Sequence, residues 1–180
     1  MEELFTPDNV RTRLINAGLK ELDKHGVLDF SLRRVAIEAG VSCAAPYRHF
    51  KDKDELIRAI ISYVMEGWTL LSSSIAEIYS DDKSALITEL SVAGLRFWIG
   101  NGNFRTVIMS AGGSGMALFD APLKSAVASY CLERGREDSE LLTFKLLSML
   151  YGALMLVDGG CESSDRAAKS LRLALCEELE

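Results

Sequence analysis

The residues whose types and spacing could carry out chemistry lie in one basic stretch near the start of the chain. Residues 7–53 contain nine Lys and Arg against six Asp and Glu, whereas residues 67–180 contain ten bases and fifteen acids. Clustered positive charge attracts phosphate groups, so this stretch is a candidate surface for nucleic acid. The net charge of the whole chain is −6, which argues against a nonspecific binder with a broadly basic surface.

Side-chain arrangements that would indicate an enzyme or a metal site are not found. The sequence has no nucleophile beside a base, no H-E-x-x-H motif and no dinucleotide-binding fingerprint. The segment Gly112–Gly115 is followed by no lysine and preceded by no predicted strand, so we interpret it as a flexible link between helices rather than a phosphate loop. The two histidines and four cysteines lack zinc-site spacing. We predict no catalytic residue, no metal and no cofactor, with a helical enzyme kept as an alternative.

Four predicted helices position the basic stretch. The first runs from Pro7 to His25, where a glycine follows. Ser31 caps a second, short helix that ends at Gly40. Ser42 is expected to cap a third helix over Cys43–Phe50, and a fourth runs from Lys53 to about Tyr79. The second and third helices, joined by a tight turn, form a predicted helix-turn-helix.

The third helix is the predicted reader of DNA bases, because an α-helix fits the major groove of B-DNA. Its first turn presents Cys43, Ala44 and Ala45. Alanine can contact a thymine methyl group but cannot form a hydrogen bond to a base, so base readout is expected to shift to Arg33 or to DNA shape. For Cys43, a redox switch and a plain small side chain are both left open.

The runs Phe30–Ser42 and Pro46–Leu56 closely resemble the N-terminal domain of TetR-family transcriptional regulators. The diagnostic pattern is Ala-Gly-Val-Ser, four residues, Tyr-Arg-His-Phe, then Lys-x-Glu-Leu. The resemblance implies that Tyr47 and His49 contact phosphates, that Lys53 adds a charge at the start of the fourth helix, and that Arg48 joins them or faces solvent. The full set of predicted DNA-binding residues is Ser31, Arg33, Ser42, Cys43, Ala44, Ala45, Tyr47, Arg48, His49 and Lys53.

The remainder of the chain predicts further helices and no strand, and the acidic start of the sequence predicts a cytoplasmic protein without a signal peptide. The expected fold is all-α with about nine helices: a helix-turn-helix domain over 6–52, a connecting helix over 53–79, and a ligand-binding and dimerisation domain over 65–180. The apolar stretch 141–157 is interrupted by polar residues and is interpreted as a buried helix, not a membrane span. The later helices are predicted over Ser84–Gly100, Asn103–Ser110, Ala121–Arg134, Ser139–Val157 and Asp165–Leu179.

Aromatic and leucine residues of the C-terminal part suggest two further sites. A cavity for an apolar effector is predicted, with a filled core as the alternative, and its lining is expected to include Trp68, Phe97, Trp98, Phe104, Met109, Phe119 and Phe144. In the family, the last two helices form the dimer interface, for which the candidates are Leu146, Leu150, Leu154, Leu171 and Leu175. The resemblance therefore implies a homodimeric repressor that a small hydrophobic effector releases from a pseudo-palindromic DNA operator. A DNA-binding protein without ligand regulation is the further alternative.

Overall fold

The computed structural model describes residues 7–102, 108 and 114–180, and within them every regular element is an α-helix. The predicted all-α fold is confirmed. The predicted helix over Asn103–Ser110 lies outside the described residues, Ile108 apart. The eight described helices are α1 (Pro7–His25), α2 (Leu32–Glu38), α3 (Pro46–His49), α4 (Lys53–Ile78), α5 (Lys83–Gly100), α6 (Ser114–Arg134), α7 (Ser139–Asp158) and α8 (Ser164–Leu179).

The chain divides into two compact units. The first contains the described residues up to Glu66 together with Ile108, and the second contains residues 67–102 and 114–180. The continuous helix α4 contributes its first part to one unit and its remainder to the other.

The first unit is held together by apolar side chains that α1, α2 and α4 direct inward. Gly18 lies where α1 approaches α4 closely, since a Cβ atom there would come within 2.6 Å of Ile60 Cδ1. Gly40 ends α2 with a φ of +64°, a backbone conformation that glycine adopts without steric cost. The buried residues at the centre of this unit are Leu14, Ile15, Leu22, Val35, Ala36, Phe50, Leu56 and Ile60.

Helix α3 begins later than predicted, at Pro46 instead of Cys43. The preceding residues form a turn that is closed by a hydrogen bond from Ala45 N to Ser42 O, at 2.9 Å. Proline has no N–H group to continue the pattern, so α-helical hydrogen bonding starts only beyond it. Ala45 therefore occupies the N-cap position without a side-chain hydrogen bond, and the predicted capping role of Ser42 is wrong.

Helix α6 begins earlier than the predicted Ala121 and contains Pro122 in its interior. Ser114 and Gly115 belong to this helix, so the interpretation as a flexible link is wrong for these two residues, and Gly112 and Gly113 lie outside the described part of the chain. In the predicted helix Pro122 would lie in the first turn, where its missing N–H costs no hydrogen bond. Pro122 has no N–H group for the Leu118 carbonyl group, so one helical hydrogen bond is missing at this point of α6.

The second unit is built around α5, which packs against α6, α7 and α8. On α7, every fourth residue from Leu142 to Leu154 is buried, which is the spacing of one helical face. By length and composition α7 could also cross a membrane, with a mean hydropathy of 1.6 over its most apolar window. Only 22% of that window is buried, so the prediction of a buried helix holds for one face of α7 alone.

Candidate nucleic-acid interface

The turn between α2 and α3 is held in place by α1. Val41 N donates to Ala36 O at 3.0 Å, which closes the turn onto the end of α2. The Arg13 guanidinium group donates to Ala39 O and, at 3.4 Å, to Gly40 O. A cation at this position also interacts favourably with the negative end of the α2 dipole. Arg13 therefore fixes the segment that precedes the predicted reading residues.

The start of α2 is anchored by the buried carboxylate of Glu21, which is 6% exposed. Its Oε1 atom accepts hydrogen bonds from Arg34 Nε at 2.6 Å and from Ser31 N at 3.2 Å. The hydrogen bond to Glu21 raises the pKa of Arg34 above its ordinary value. Arg34 also donates to Asp29 O, so this guanidinium group is committed to the fold.

The start of α4 is closed by two hydrogen bonds from backbone N–H groups to acidic side chains. Glu55 N donates to Asp52 Oδ1 at 2.8 Å, and Lys51 N donates to Glu55 Oε2 at 2.6 Å. This arrangement satisfies backbone N–H groups that a helix start leaves unpaired. Lys53 Nζ donates to Val27 O at 2.7 Å and to Leu28 O at 3.4 Å, so it holds the linker between α1 and α2.

Exposed polar, basic and small side chains of α2, α3 and the intervening turn form the candidate DNA surface. Arg33 and Arg48 are exposed and form no ion pair with any residue that the structure describes. Of the two adjacent arginines on α2, Arg34 is thus bound to Glu21 while Arg33 is available for a ligand. Tyr47 is 64% exposed, which is unusual for an aromatic residue of a small core.

The other predicted DNA-binding residues differ in how accessible they are. Ser42, Cys43 and Ala44 are exposed, whereas Ser31, Ala45, His49 and Lys53 are partly buried. The Ser31 hydroxyl group accepts a hydrogen bond from Arg34 N at 3.4 Å, as predicted for a helix cap. The structure thus brings the ten residues to one helix-turn-helix and the adjacent helix start, and their contacts with DNA stay a prediction.

Sequence reasoning missed the three residues that position this surface, namely Arg13, Glu21 and Arg34. Each acts through a partner that is far along the chain: 26 residues separate Arg13 from Ala39, and 13 separate Glu21 from Arg34. Helical spacing predicts neighbours three or four residues apart but gives no information about such distant pairs. The only local signal was the position of Glu21 among apolar residues of α1.

The predicted effector cavity corresponds in part to a cluster of packed rings in the second unit. The Phe119 ring centroid lies 4.6 Å from those of Trp68 and Trp98, and Phe97 lies 5.3 Å from Trp68. These rings contact one another, which is the arrangement of a filled core. Phe144 is 69% exposed and is not part of this cluster, so its assignment to the cavity is wrong. The remaining two candidates, Phe104 and Met109, lie outside the described residues.

A polar group lies at the edge of the second unit's core. The Tyr151 hydroxyl donates to Asp120 Oδ1 at 2.7 Å, and Lys124 Nζ is 3.6 Å from Asp120 Oδ2. Burial, together with the neighbouring carboxylate, raises the pKa of Tyr151 well above its ordinary value. The tyrosine therefore remains a neutral hydrogen-bond donor at physiological pH.

The five leucines proposed for the dimer interface are buried within the protein itself. Their exposed fractions are between 0% and 3%, so they have no surface to offer a partner. The assignment of Leu146, Leu150, Leu154, Leu171 and Leu175 to the interface is therefore wrong, because it selected the inner faces of α7 and α8. The large apolar side chains that these helices expose are Leu141, Phe144, Met155, Leu156 and Leu173.

Comparison with known proteins agrees with this geometry. Residues 14–60, which include α2, α3 and the start of α4, match the family model of bacterial regulatory proteins of the tetR family. An HTH-type transcriptional regulator of Staphylococcus aureus (strain bovine RF122 / ET3-1) is 25% identical over 144 residues, covering 80% of this chain and 77% of the relative. A corresponding regulator of strain USA300 is 24% identical over the same shares of both chains.

Solved structures share the fold over nearly the whole chain. A TetR transcription regulator from Haloarcula marismortui ATCC 43049 has a TM-score of 0.72 at 20% identity, covering 96% of this chain and 97% of its own. A transcriptional regulator described as putative, from Pseudomonas aeruginosa PAO1, has a TM-score of 0.79 at 19% identity, covering 97% and 92%. At these identities the likeness establishes the fold.

Proposed function

Because the chain is a TetR-family DNA-binding transcriptional regulator, we propose that it acts as a homodimeric repressor that a small hydrophobic effector releases from a pseudo-palindromic operator. The observation that carries the DNA-binding part is the exposed surface on α2 and α3. There, Arg33 and Arg48 remain available while Arg13, Glu21 and Arg34 are used to hold the elements in place. In a cell, this regulator acts in the cytoplasm, where the operator is accessible.

On the operator, α3 and the turn before it enter the major groove. Cys43 and Ala44 approach base edges, and Arg33 on α2 supplies the long hydrogen-bonding side chain that this turn lacks. Tyr47, Arg48 and His49 contact phosphates and fix the orientation of the helix, and Lys53 adds charge nearby. One short helix contacts only a few base pairs, so two copies are needed for useful specificity.

The apolar outer face of α7 supports the proposal of a homodimer. Helical spacing places Leu141, Phe144 and Met155 on the face opposite the buried leucines of this helix. Each of the three is more than half exposed, and large apolar side chains exposed on one helix face are candidates for a protein–protein interface. A matching surface on a second copy, related by two-fold symmetry, would cover it.

Effector response requires that binding in the second unit changes the fit of the two copies to the operator. Helix α4 belongs to both units, which provides a continuous element between an effector site and the helix-turn-helix. If only one orientation matches the operator spacing, effector and DNA oppose each other reciprocally.

The DNA-binding proposal is tested with a duplex enriched from random sequences by the protein itself. Arg48→Ala is expected to weaken all sequences alike, because it removes a phosphate contact. Arg33→Ala is expected to change which bases are preferred, by about tenfold at the affected position. Lys169→Ala, an exposed lysine of α8, is the matched control and should bind as the wild type. Equal losses on every sequence from the Arg33 variant would remove this residue from base reading.

The dimer proposal is tested by sedimentation of variants on the outer face of α7. Phe144→Glu places a charge at a residue that is 69% exposed in the single chain, so the fold tolerates it while a dimer does not. Leu132→Glu on α6, at a residue 83% exposed, is the control. A dimer that persists in the Phe144 variant would place the interface elsewhere.

A further inference from the structure

A groove in the second unit has the dimensions of a small-molecule site. It lies between the later part of α4, the first half of α5, and α6, and its volume is about 400 Å³. Known ligand pockets fall in the range of about 300–1,000 Å³. The groove, called here the α4–α6 groove, is lined by residues of these three helices, among them Ser72, Lys83, Leu86, Leu90, Ser125 and Ala126.

The floor of the α4–α6 groove is apolar. Leu86, Leu90 and Ala126 contribute the floor, and each is less than a tenth exposed. The hydroxyl group of Ser72 donates to Thr69 O within its own helix, at 3.1 Å, and therefore needs no partner from a ligand. An alkyl chain could lie on this floor without leaving that buried polar group unpaired.

Lys83 is the only charged residue among the described residues that line the groove. Its ammonium group donates to Ser80 O, which leaves two further N–H donors for a ligand. The adjacent Asp82 accepts a hydrogen bond from Ala85 N at 2.9 Å as the cap of α5, so its carboxylate is already bound. By contrast, in a neighbouring groove of about 430 Å³, Arg172 is paired with Glu89 through two hydrogen bonds.

The charge and the apolar floor are arranged along one direction. Phe119, near the start of α6, packs against Gly94 in the second half of α5. Arg134, at the end of α6, lines a groove with Thr88 in the first half of α5. The two helices therefore run antiparallel. Lys83 therefore lies at the Ser129 end of the groove, and Leu118 lies at the other end. With a rise of 1.5 Å per residue, the α6 segment between these ends extends about 16 Å.

We propose that the α4–α6 groove binds an amphipathic carboxylate with a linear acyl chain of medium length. The carboxylate pairs with Lys83, and the acyl chain lies on the floor formed by Leu86, Leu90 and Ala126. Charge complementarity selects an anion, since the groove offers a cation and no described acid. This inference rests on the proposed function, because it names the chemical class of the effector and places it at a different site from the aromatic cluster.

The test compares three probes of equal chain length on the full-length protein: decanoate, decanol and decyltrimethylammonium. The two ions are used below their micelle concentrations, and the alcohol is used below its solubility limit. Calorimetric titration is expected to show saturable decanoate binding, about threefold to fivefold weaker binding of decanol, and still weaker binding of the cation, as expected for one partly exposed ion pair. Lys83→Gln should reduce decanoate affinity to that of decanol and leave decanol unchanged. Lys169→Gln is the matched control for loss of a surface charge.

The location is tested by filling the groove. Ser125→Trp places an indole ring in the groove at an exposed position and is expected to remove binding of decanoate and decanol. Ala128→Trp, at an exposed position of the same helix outside the groove, is the control. The proposal would be overturned if the folded Ser125 variant still bound decanoate. It would also be overturned if the protein bound the anion and the cation equally well, or if Lys83→Gln left the affinity for decanoate unchanged.

A DNA-binding measurement with and without decanoate separates this inference from the proposed function on which it depends. With the enriched duplex, decanoate is expected to weaken DNA binding by the wild type and to act about threefold to fivefold less potently on Lys83→Gln. DNA binding without decanoate binding would overturn the effector class and leave the regulator intact. Decanoate binding of the expected pattern without sequence-specific DNA binding would refute the proposed function and leave the groove as a ligand site.

Discussion

The Glu21 carboxylate is predicted to be the main polar anchor of the DNA-binding surface, and two substitutions separate its contributions. Both of its hydrogen bonds, from Ser31 N and Arg34 Nε, go to the same oxygen atom, Oε1. Glu21→Gln keeps an oxygen that can accept both hydrogen bonds and removes the charge. Glu21→Ala removes the acceptor and leaves the Ser31 N–H and the Arg34 guanidinium group without it.

The expected loss of stability follows from these contacts. The Arg34 guanidinium group is 45% exposed, so solvent screens its pairing with Glu21 and we ascribe no stability to that pair. The hydrogen bond from Ser31 N to the charged carboxylate contributes about 1.5–3 kcal/mol. Glu21→Ala is therefore expected to lower the free energy of unfolding by about 2 kcal/mol, and Glu21→Gln by about 1 kcal/mol.

The assay is urea unfolding followed by far-ultraviolet circular dichroism, with affinity for the enriched duplex measured in parallel. Glu66→Ala on α4 is the matched control, because Glu66 is an exposed acid in the same unit. Glu21→Ala should weaken DNA binding more than Glu21→Gln, since α2 loses the contacts that hold its start. A loss from Glu21→Ala no larger than that of Glu66→Ala, or equal losses from the two Glu21 variants, would refute this reasoning.

Three further predictions concern packing and charge. Gly18→Ala should lower the free energy of unfolding by about 1 kcal/mol, because overpacking exceeds the gain in helix propensity. Gly67→Ala has open space around it and should raise the free energy of unfolding by a few tenths of a kcal/mol. Equal effects of the two variants in thermal unfolding would exclude the close approach at Gly18. The bound arginine lowers the pKa of Glu89, so its stabilisation is present above the unfolded-state pKa and lost as pH falls through the folded value. Glu89→Gln should thus cost about 1 kcal/mol at neutral pH and nothing once the pH has fallen below the folded-state pKa of Glu89, measured by urea unfolding at several pH values. Tyr151→Phe should cost about 1–2 kcal/mol by removing the hydrogen bond to a buried carboxylate, while Tyr63→Phe, at a residue 43% exposed, should cost almost nothing; equal costs would refute the bond's contribution.

Local signals in the sequence predicted much of the first unit. The capping of α2 by Ser31 and its end at Gly40 depend on residues within a few positions of each other, and both predictions are confirmed. The predicted start of α3 at Cys43 is wrong, because Pro46 lies inside the predicted helix. In the structure α3 begins at Pro46, because the proline has no N–H group to continue helical hydrogen bonding from the preceding turn.

The second unit shows what helical spacing leaves undetermined. Helix α7 is apolar on two opposite faces, one with Leu146 and Leu150 and the other with Phe144 and Met155. Spacing groups the residues of each face but does not say which face is buried in the chain and which stays exposed. That choice depends on contacts with α5 and α8, which no local pattern contains.

The α4–α6 groove was not predicted either, for the same reason. Its only described charged residue is Lys83, which the sequence alone does not distinguish from any other residue in the first turn of a helix. Lys83 becomes a candidate ligand-binding residue only because α6, some forty residues later, lines the same groove with Ser125 and Ser129 and with no described acidic residue. A site assembled from three helices is visible only once their relative placement is known.

Recognition of a specific DNA sequence by a symmetric dimer is tested by selecting bound duplexes from a random pool near physiological salt. We expect enrichment of a two-fold symmetric motif whose half-sites are separated by about one helical turn of DNA, or about 10 base pairs. We also expect that Phe144→Glu, which breaks the dimer, loses this enrichment. An enriched single half-site without symmetry would contradict the dimeric reading, and no enriched sequence in the absence of any effector would contradict operator recognition itself.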